Sequence, residues 1–374
     1  MQGAPCTTPF GEFFLARYPA RRKEPLQAWC AADLLLLEAA AAQTRPCNTA
    51  LVINDAYGLL SLALHAAHLW TDSALSVMAM RRNAQTNGVA ATPVTWSTEP
   101  PPASSLVVMR VPKQTRYFTQ QLHLLSSRLP AGALVLAAGM DKHLSPHTAG
   151  LLEAHIGPTE RHAGQKKARL FSAVRDPGCE VQTPEKIAGM PCPEVGGELT
   201  ALPNVFSGDK LDGGARLLLK HMKAANAAQR VIDLACGNGV LGLAAFRHGL
   251  GQQVLFCDES AQAIASARNN AAALFPASPD AFSFHHGDGL QQVSGDQAQL
   301  ILCNPPFHLE HTVDEFAGKR LLKQCAQYLG PGGQLLIVAN RHLDYRRTLK
   351  SGFNSVSLIA EDRRFRLWLA GHAA

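Results

Sequence analysis

The tetrapeptide Asn304-Pro305-Pro306-Phe307 is where this chain's residue types could do chemistry. Two successive prolines have fixed φ and no N–H, so the backbone there cannot continue a sheet ladder. The Asn304 side-chain oxygen and the Pro305 carbonyl can then accept both hydrogens of one planar NH2 group. Drawing on both hydrogens makes the nitrogen more pyramidal and aims its lone pair at an electrophile. Phe307 adds a ring face on which a planar base or amide can stack, worth roughly 1–3 kcal/mol. Proximity and orientation supply the rest of the catalysis.

The residues upstream suggest the electrophile. Asp233 stands before the loop Ala235-Cys236-Gly237-Asn238-Gly239, and Asp258-Glu259, Asp288 and Asn304 each fall at the end of a predicted strand. A glycine loop entering a helix lets the backbone approach a ligand closely. An acid after the second strand suits the two hydroxyls of a ribose. Asp288 suits an exocyclic amine. Gly237, Gly239 and Gly242 also satisfy the G-x-G-x-x-G spacing, so the glycines alone leave a dinucleotide site open. Asp233 and the tetrapeptide point instead to the sulfonium methyl of S-adenosylmethionine, whose leaving group departs as a neutral thioether and needs no strong base.

The elements that must position these residues alternate. Strands are predicted at 231–234, 254–257, 282–285, 300–303 and 334–339, with helices from Val240, over 261–274 and over about 314–329. Alternation of this kind means a parallel sheet with crossovers, and ligands bind at the carboxyl ends of its strands.

The first half reads as a worn copy. Residues 51–64 parallel 230–244, and Ser73-Ala74 with Arg81-x-Asn83 matches Ser260-Ala261 with Arg268-x-Asn270. Residues 106–112 parallel 300–306, and 132–137 parallel 333–339. In this copy Gly58 is followed by Leu59, so the second loop glycine is read as lost. Thr71 stands for Asp258, Arg110 for Asn304 and Lys113 for Phe307. A cation cannot accept from an amine. Arg110, Lys113 and Arg116, and a second cluster of Lys166, Lys167 and Arg169, suit phosphates instead, as do Arg341, Arg346 and Arg347 after the last core strand. The chain is therefore expected to be α/β, with two tandem Rossmann-like domains. Residues 1–171 are expected to form a degenerate copy kept for substrate grip, 172–202 a Pro/Gly-rich linker, and 203–374 the catalytic domain.

Composition is compatible with this reading. The chain has 374 residues, 47% hydrophobic and 17% charged, too apolar for disorder. A net charge of +6 allows a polyanionic partner without demanding one. Nine scattered Cys with no Cys-x-x-Cys pair support neither structural disulfides nor a metal site, and suit the reduced cytoplasm. No apolar run is long enough to span a membrane, and no secretory signal is visible.

At this point the sequence resembles a family. Asn204-Val205-Phe206-Ser207, Leu211-Asp212, Gly214-Ala215-Arg216, residues 233–239, residues 304–308 and residues 338–345 look like ribosomal RNA guanine-N2 methyltransferases. Residues 25–29, 53–56 and 166–170 are similar to the large-subunit (23S) type rather than the small-subunit type. The resemblance covers essentially the whole chain. It implies two methyltransferase-like domains with the C-terminal one active, guanine N2 in 23S ribosomal RNA as acceptor, and S-adenosylmethionine as cofactor. It implies catalysis by Asn304, Pro305, Pro306 and Phe307, and cofactor contacts from Asp233, Gly237, Gly239, Asp258, Glu259, Asp288 and Asp212. A cytoplasmic monomer is expected.

Three positions depart from the family pattern. Ala235 replaces the first loop glycine, which a methyl group tolerates if φ is negative. Gly208 replaces an arginine, with Lys210 nearby, and Asp288 stands where a relative can carry asparagine. The tetrapeptide itself handles any planar NH2, so adenine N6 or a protein glutamine remains an alternative acceptor. A non-catalytic RNA-binding assembly protein is a further alternative.

Overall fold

The computed structural model describes residues 3–21, 24–179, 183–184, 188–295, 297–306, 308–309, 312–313 and 315–373. The chain divides into two compact units, Met1–Lys186 and Ile187–Ala374.

The first unit opens with the hairpin β1 (Ala4–Thr8) and β2 (Gly11–Leu15) and the helix α1 (Ala31–Ala41). An alternating series follows: β3 (Leu51–Ile53), α2 (Leu59–Ala63), β4 (His68–Thr71), α3 (Ala74–Asn87), β5 (Val94–Trp96), β6 (Leu106–Arg110), α4 (Thr115–Ser126) and β7 (Leu134–Met140). It closes with α5 (Thr148–His155), β8 (Thr159–Arg161) and β9 (Ala168–Val174). The sheet order is β5-β4-β3-β6-β7-β9-β8, with β9 alone running against the others and pairing antiparallel with both β7 and β8.

The second unit repeats the plan. Hairpin β10 (Met190–Cys192) and β11 (Gly197–Leu199) leads to α6 (Gly213–Lys220), β12 (Ala228–Leu234), α7 (Val240–Arg247), β13 (Gly251–Asp258), α8 (Ala261–Leu274), β14 (Phe282–His286) and β15 (Leu300–Cys303). A short ribbon of β16 (His308–Leu309) and β17 (Thr312–Val313) precedes α9 (Glu315–Tyr328), β18 (Gln334–Asn340), α10 (Tyr345–Gly352), β19 (Ser355–Glu361) and β20 (Phe365–Gly371). Its order, β14-β13-β12-β15-β18-β20-β19, is the same as the first, with the last pair again antiparallel. A dinucleotide-binding sheet of order 3-2-1-4-5-6 lacks that antiparallel insertion.

The core strands are continuous apolar runs because both faces are covered. Along β12, Val231 packs into one face's core and Ile232 into the other's, and both are fully buried. In the first unit Val52 and Ile53 divide in the same way. Ser73 and Ser260 cap α3 and α8, each accepting from the backbone N–H three residues on.

The 172–202 stretch is more structured than its Pro/Gly content predicts. β9 runs to Val174, and residues 190–199 form a hairpin whose Met190, Cys192, Val195 and Leu199 enter the second unit's core. Gly196 turns this hairpin at φ +74°, which is why so short a ribbon reads as loop in the sequence. One asparagine pins each hairpin. Asn270 accepts from Thr200 N–H at 2.9 Å and donates to the carbonyls of Thr200 (2.8 Å) and Asn238 (2.9 Å). Asn83 does the same for Ala16 and Tyr57.

Candidate active site

Strand register fixes which positions of the two units correspond. Leu234 pairs with Cys257 and Cys303, while Ile53 pairs with Trp70 and Met109. The next residues are therefore Ala235, Asp258 and Asn304 in one sheet, and Asn54, Thr71 and Arg110 in the other. In the second unit they sit at the crevice between β12 and β15, where the strand order reverses.

Asp233 ends β12 fully buried and accepts from Gly242 N–H at 2.8 Å, tying the strand to the first turn of α7. Its other oxygen, Oδ1, has no hydrogen-bond partner among the described residues. Burial pushes its carboxyl up to about 8, with Asp258 adding to the rise and the Gly242 N–H opposing it.

The two loop glycines do different work. At Gly237 (φ +55°) a Cβ would meet only Val205 Cγ1, at 3.9 Å, so this face of the loop stands open. At Gly239 (φ +86°) a Cβ would lie 3.0 Å from that of Ala267, so this glycine lets α7 pack on α8. Ala235 has φ +59°, so the condition under which its methyl would be tolerated is not met. Asp258 is half-buried, its two oxygens taking Gly237 N–H and Ser260 N–H at 3.0 Å each. Glu259 is half-buried, its carbonyl 2.9 Å from His286 Nε2. An open glycine face beside an anchored carboxylate fits the methionyl-to-ribose stretch of a sulfonium nucleoside.

Asp288 differs from expectation. It is completely buried and its carboxylate is ion-paired with Arg320, a residue nothing in the sequence singled out. The side chain therefore ties its loop to α9.

Asn304 is half-buried, Pro305 buried and Pro306 exposed, while Phe307 lies outside the described residues. Asn304 Nδ2 donates to Asp212 Oδ2 at 3.0 Å. The same oxygen caps α6, accepting from Gly214 N–H (2.9 Å) and Ala215 N–H (3.2 Å). Asp212, expected as a cofactor contact, is thus a cap joined to Asn304. An acid just ahead of Gly213-Gly214 is the sequence signal for that cap.

The first unit's matching crevice is stitched shut. Asn54 Nδ2 donates to the Arg110 carbonyl (2.9 Å) and to Gln121 Oε1 (3.0 Å), and Gln121 Nε2 donates back to Asn54 Oδ1 (3.0 Å). The Arg110 guanidinium reaches Asp33 Oδ1 at 2.6 Å, an internal ion pair instead of the phosphate contact expected from the sequence. Two corrections follow from register. Gly58 (φ +93°) begins α2 as Gly239 begins α7, so the retained glycine is the second of the loop and Ala56 replaces the first. Its Cβ would meet Met80 Cα at 2.7 Å, so packing alone explains why it remains.

The remaining cations divide. Lys113, Arg116, Arg346 and Arg347 are exposed. Arg169 is paired with Asp141 at 3.2 Å, and Arg341 lies 3.9 Å from Glu361. Lys166 and Lys167 are exposed and both left-handed (φ +48° and +61°), forming the two-residue turn between Gln165 and Ala168. Among the described residues no group of His, Cys, Asp or Glu could hold a metal ion.

Sheet order and site together define a Rossmann-like α/β methyltransferase. Two family models match: the RLMG N-terminal domain over residues 4–177 and the methyltransferase small domain over 196–368. A ribosomal RNA large subunit methyltransferase G from Alcanivorax borkumensis is 38% identical, covering 96% of this chain and 95% of its own length. One from Streptomyces avermitilis is 36% identical, covering 96% and 97%. The Thermus thermophilus 16S rRNA N2 G1207 methyltransferase, solved with AdoMet and guanosine, shares the fold at a TM-score of 0.75 with 20% identity, over 100% of this chain and 98% of that one. The chain belongs to the ribosomal RNA large subunit methyltransferase G family.

Proposed function

We propose that this chain transfers a methyl group from S-adenosylmethionine to the exocyclic N2 amine of a guanine in large-subunit (23S) ribosomal RNA. One observation carries the reading: a buried amide oxygen, Asn304 Oδ1, has no partner among the described residues at the strand-switch crevice, beside the open face of Gly237.

When bound, the cofactor supplies an electrophilic methyl on a sulfonium. The Gly237 face receives the methionyl end, and Asp258 with Glu259 holds the ribose. Asn304 Oδ1 and the Pro305 carbonyl accept the two amine hydrogens, turning the nitrogen lone pair toward the methyl. Because a sulfonium gives up its methyl and leaves as a neutral thioether, these residues need only hold and orient the amine while its surplus proton passes to water. Asp233 lies beneath the loop and supports its shape. A guanine amine inside a helix is out of reach, so the base must be unpaired or flipped out.

The first unit serves as a non-catalytic RNA grip, and its stitched crevice supports that role. Lys166 and Lys167 are its best-presented cations, with Lys113 and Arg116 beside them in the reading, and Arg341, Arg346 and Arg347 serve the second unit. The chain works in the cytoplasm as a monomer; no described helix is long and apolar enough to cross a membrane.

The test is labelled-methyl transfer by the purified chain to ribosomal RNA from cells lacking it, with the product mapped by mass spectrometry. N2-methylguanosine at one 23S position is expected. Label on adenine N6 or on a protein glutamine, or bound cofactor with no transfer, would overturn the reading.

A further inference from the structure

We propose that Asp212 is a positioning residue that sets which way the Asn304 amide faces, and so whether the site presents an acceptor to the amine. The inference rests on the function proposed above. An asparagine amide has two nearly isosteric ends, one donating and one accepting. Only the accepting end can draw on an NH2 group; rotated by half a turn, the amide would oppose the amine's hydrogens with its own. A positioned partner must therefore choose between the two.

Asp212 makes that choice by its chemistry. An ionised carboxylate only accepts, so the Asn304 end that faces it at 3.0 Å must be Nδ2. Oδ1 then lies against Gly214 in the first turn of α6, where it is buried and lacks a partner among the described residues. Leaving a buried carbonyl unsatisfied is costly, and an amine that reached it would recover that cost. The rotated amide would in addition set its oxygen against the carboxylate. Asp212 is itself held firmly, because Oδ2 takes two backbone N–H groups from the first turn of α6. The packing leaves no slack: a Cβ at Gly214 would stand 2.9 Å from Asp212 Oδ2 and 3.0 Å from Asn304 Oδ1. In the first unit the equivalent strand end carries Arg110, and the acid it meets, Asp33, lies in the first turn of α1. There the acid is neutralised by a cation, whereas at Asn304 it orients an amide.

The test separates orienting from capping. Serine is as good a helix cap as aspartate but too short to reach Asn304, whereas asparagine retains an oxygen that can accept from the same three donors. In the full chain, D212S should lower kcat on the order of 10- to 100-fold, the range seen when a partner that orients an active group is lost. KM for S-adenosylmethionine and for RNA should stay within about twofold and the melting temperature within a degree or two; D212N should restore most of kcat. In an N304A background D212S should cause no further loss, since residues that act as a unit are non-additive. Selective 15N labelling of asparagine should show the Asn304 side-chain NH2 protected from exchange in the wild type and D212N, but not in D212S.

An unchanged kcat in D212S would overturn the proposal, as would a loss that appears mainly in KM for the cofactor or persists undiminished with N304A. If N304A itself keeps wild-type kcat, the proposed function's use of Asn304 fails. The NMR readout would still decide whether Asp212 sets the amide.

Discussion

Ala235 sits at φ +59°, in a region that a residue bearing a Cβ enters at a cost of roughly 1–2 kcal/mol. Asn54, its counterpart at φ +59°, is a type that tolerates this conformation. Ala235→Gly should stabilise the chain by about 0.5–1 kcal/mol, once the extra chain entropy of glycine is subtracted from the relieved strain. A higher urea midpoint would register it, and a lower one would show that the turn is not strained. Asp233 gives a pH signature. Its carboxyl is raised to about 8 in the fold from an ordinary value of 3.8, so the native state holds the proton more tightly than the unfolded chain. The stability this contributes is complete below about pH 4 and is lost as pH rises through about 8. Denaturation between pH 5 and 8 should show a decline that Asp233→Asn abolishes; equal slopes would contradict the shift. The sequence made both residues conspicuous but not their states, because φ and burial are set by tertiary packing.

The parallel strands of the second unit and its serine-capped helix were legible as elements. Residues 261–274 are the helix read from the sequence, and 300–303 the strand, because apolar runs and caps are local signals. The hairpin at 190–199 was not, since a ribbon with a two-proline, two-glycine composition carries no periodicity of its own. What holds it is Asn270, eighty residues from its start, and that distance hides the contact. The repeat offers the missing signal: Pro5-Cys6 and Pro191-Cys192 occupy the same hairpin register, opposite strands ending in Leu15 and Leu199. The residue replacements at the first unit's strand ends were legible, but the contacts those residues make are spatial. The β3–β6 crevice is occupied by the Asn54–Gln121 amide pair. Calorimetric titration should therefore find one S-adenosylmethionine per chain, and a second site of comparable affinity would overturn the closed-crevice reading.

For the whole chain, the Lys166-Lys167 turn would couple stability to substrate grip if the first unit holds RNA as proposed. Two-residue hairpin turns with both residues left-handed favour Asn-Gly, and lysine is an awkward occupant. Replacing the pair by K166N and K167G should raise the stability of the first unit by about 1 kcal/mol while weakening RNA binding. If both lysines meet phosphates, the slope of log affinity against log salt should fall by about 2. Unchanged RNA affinity and slope would assign the lysines to solvent alone.

The first sheet receives its last strand at Val174, well before any residue of the methyl-transfer crevice has been made. Domains fold as units during synthesis, at roughly 5–20 residues per second. The 130 residues from Val174 to Asn304 thus take roughly 7–26 seconds to translate. During that interval every strand of the first sheet has been made and Asn304 has not, so under the proposed function a chain released in this window should show no methyl transfer.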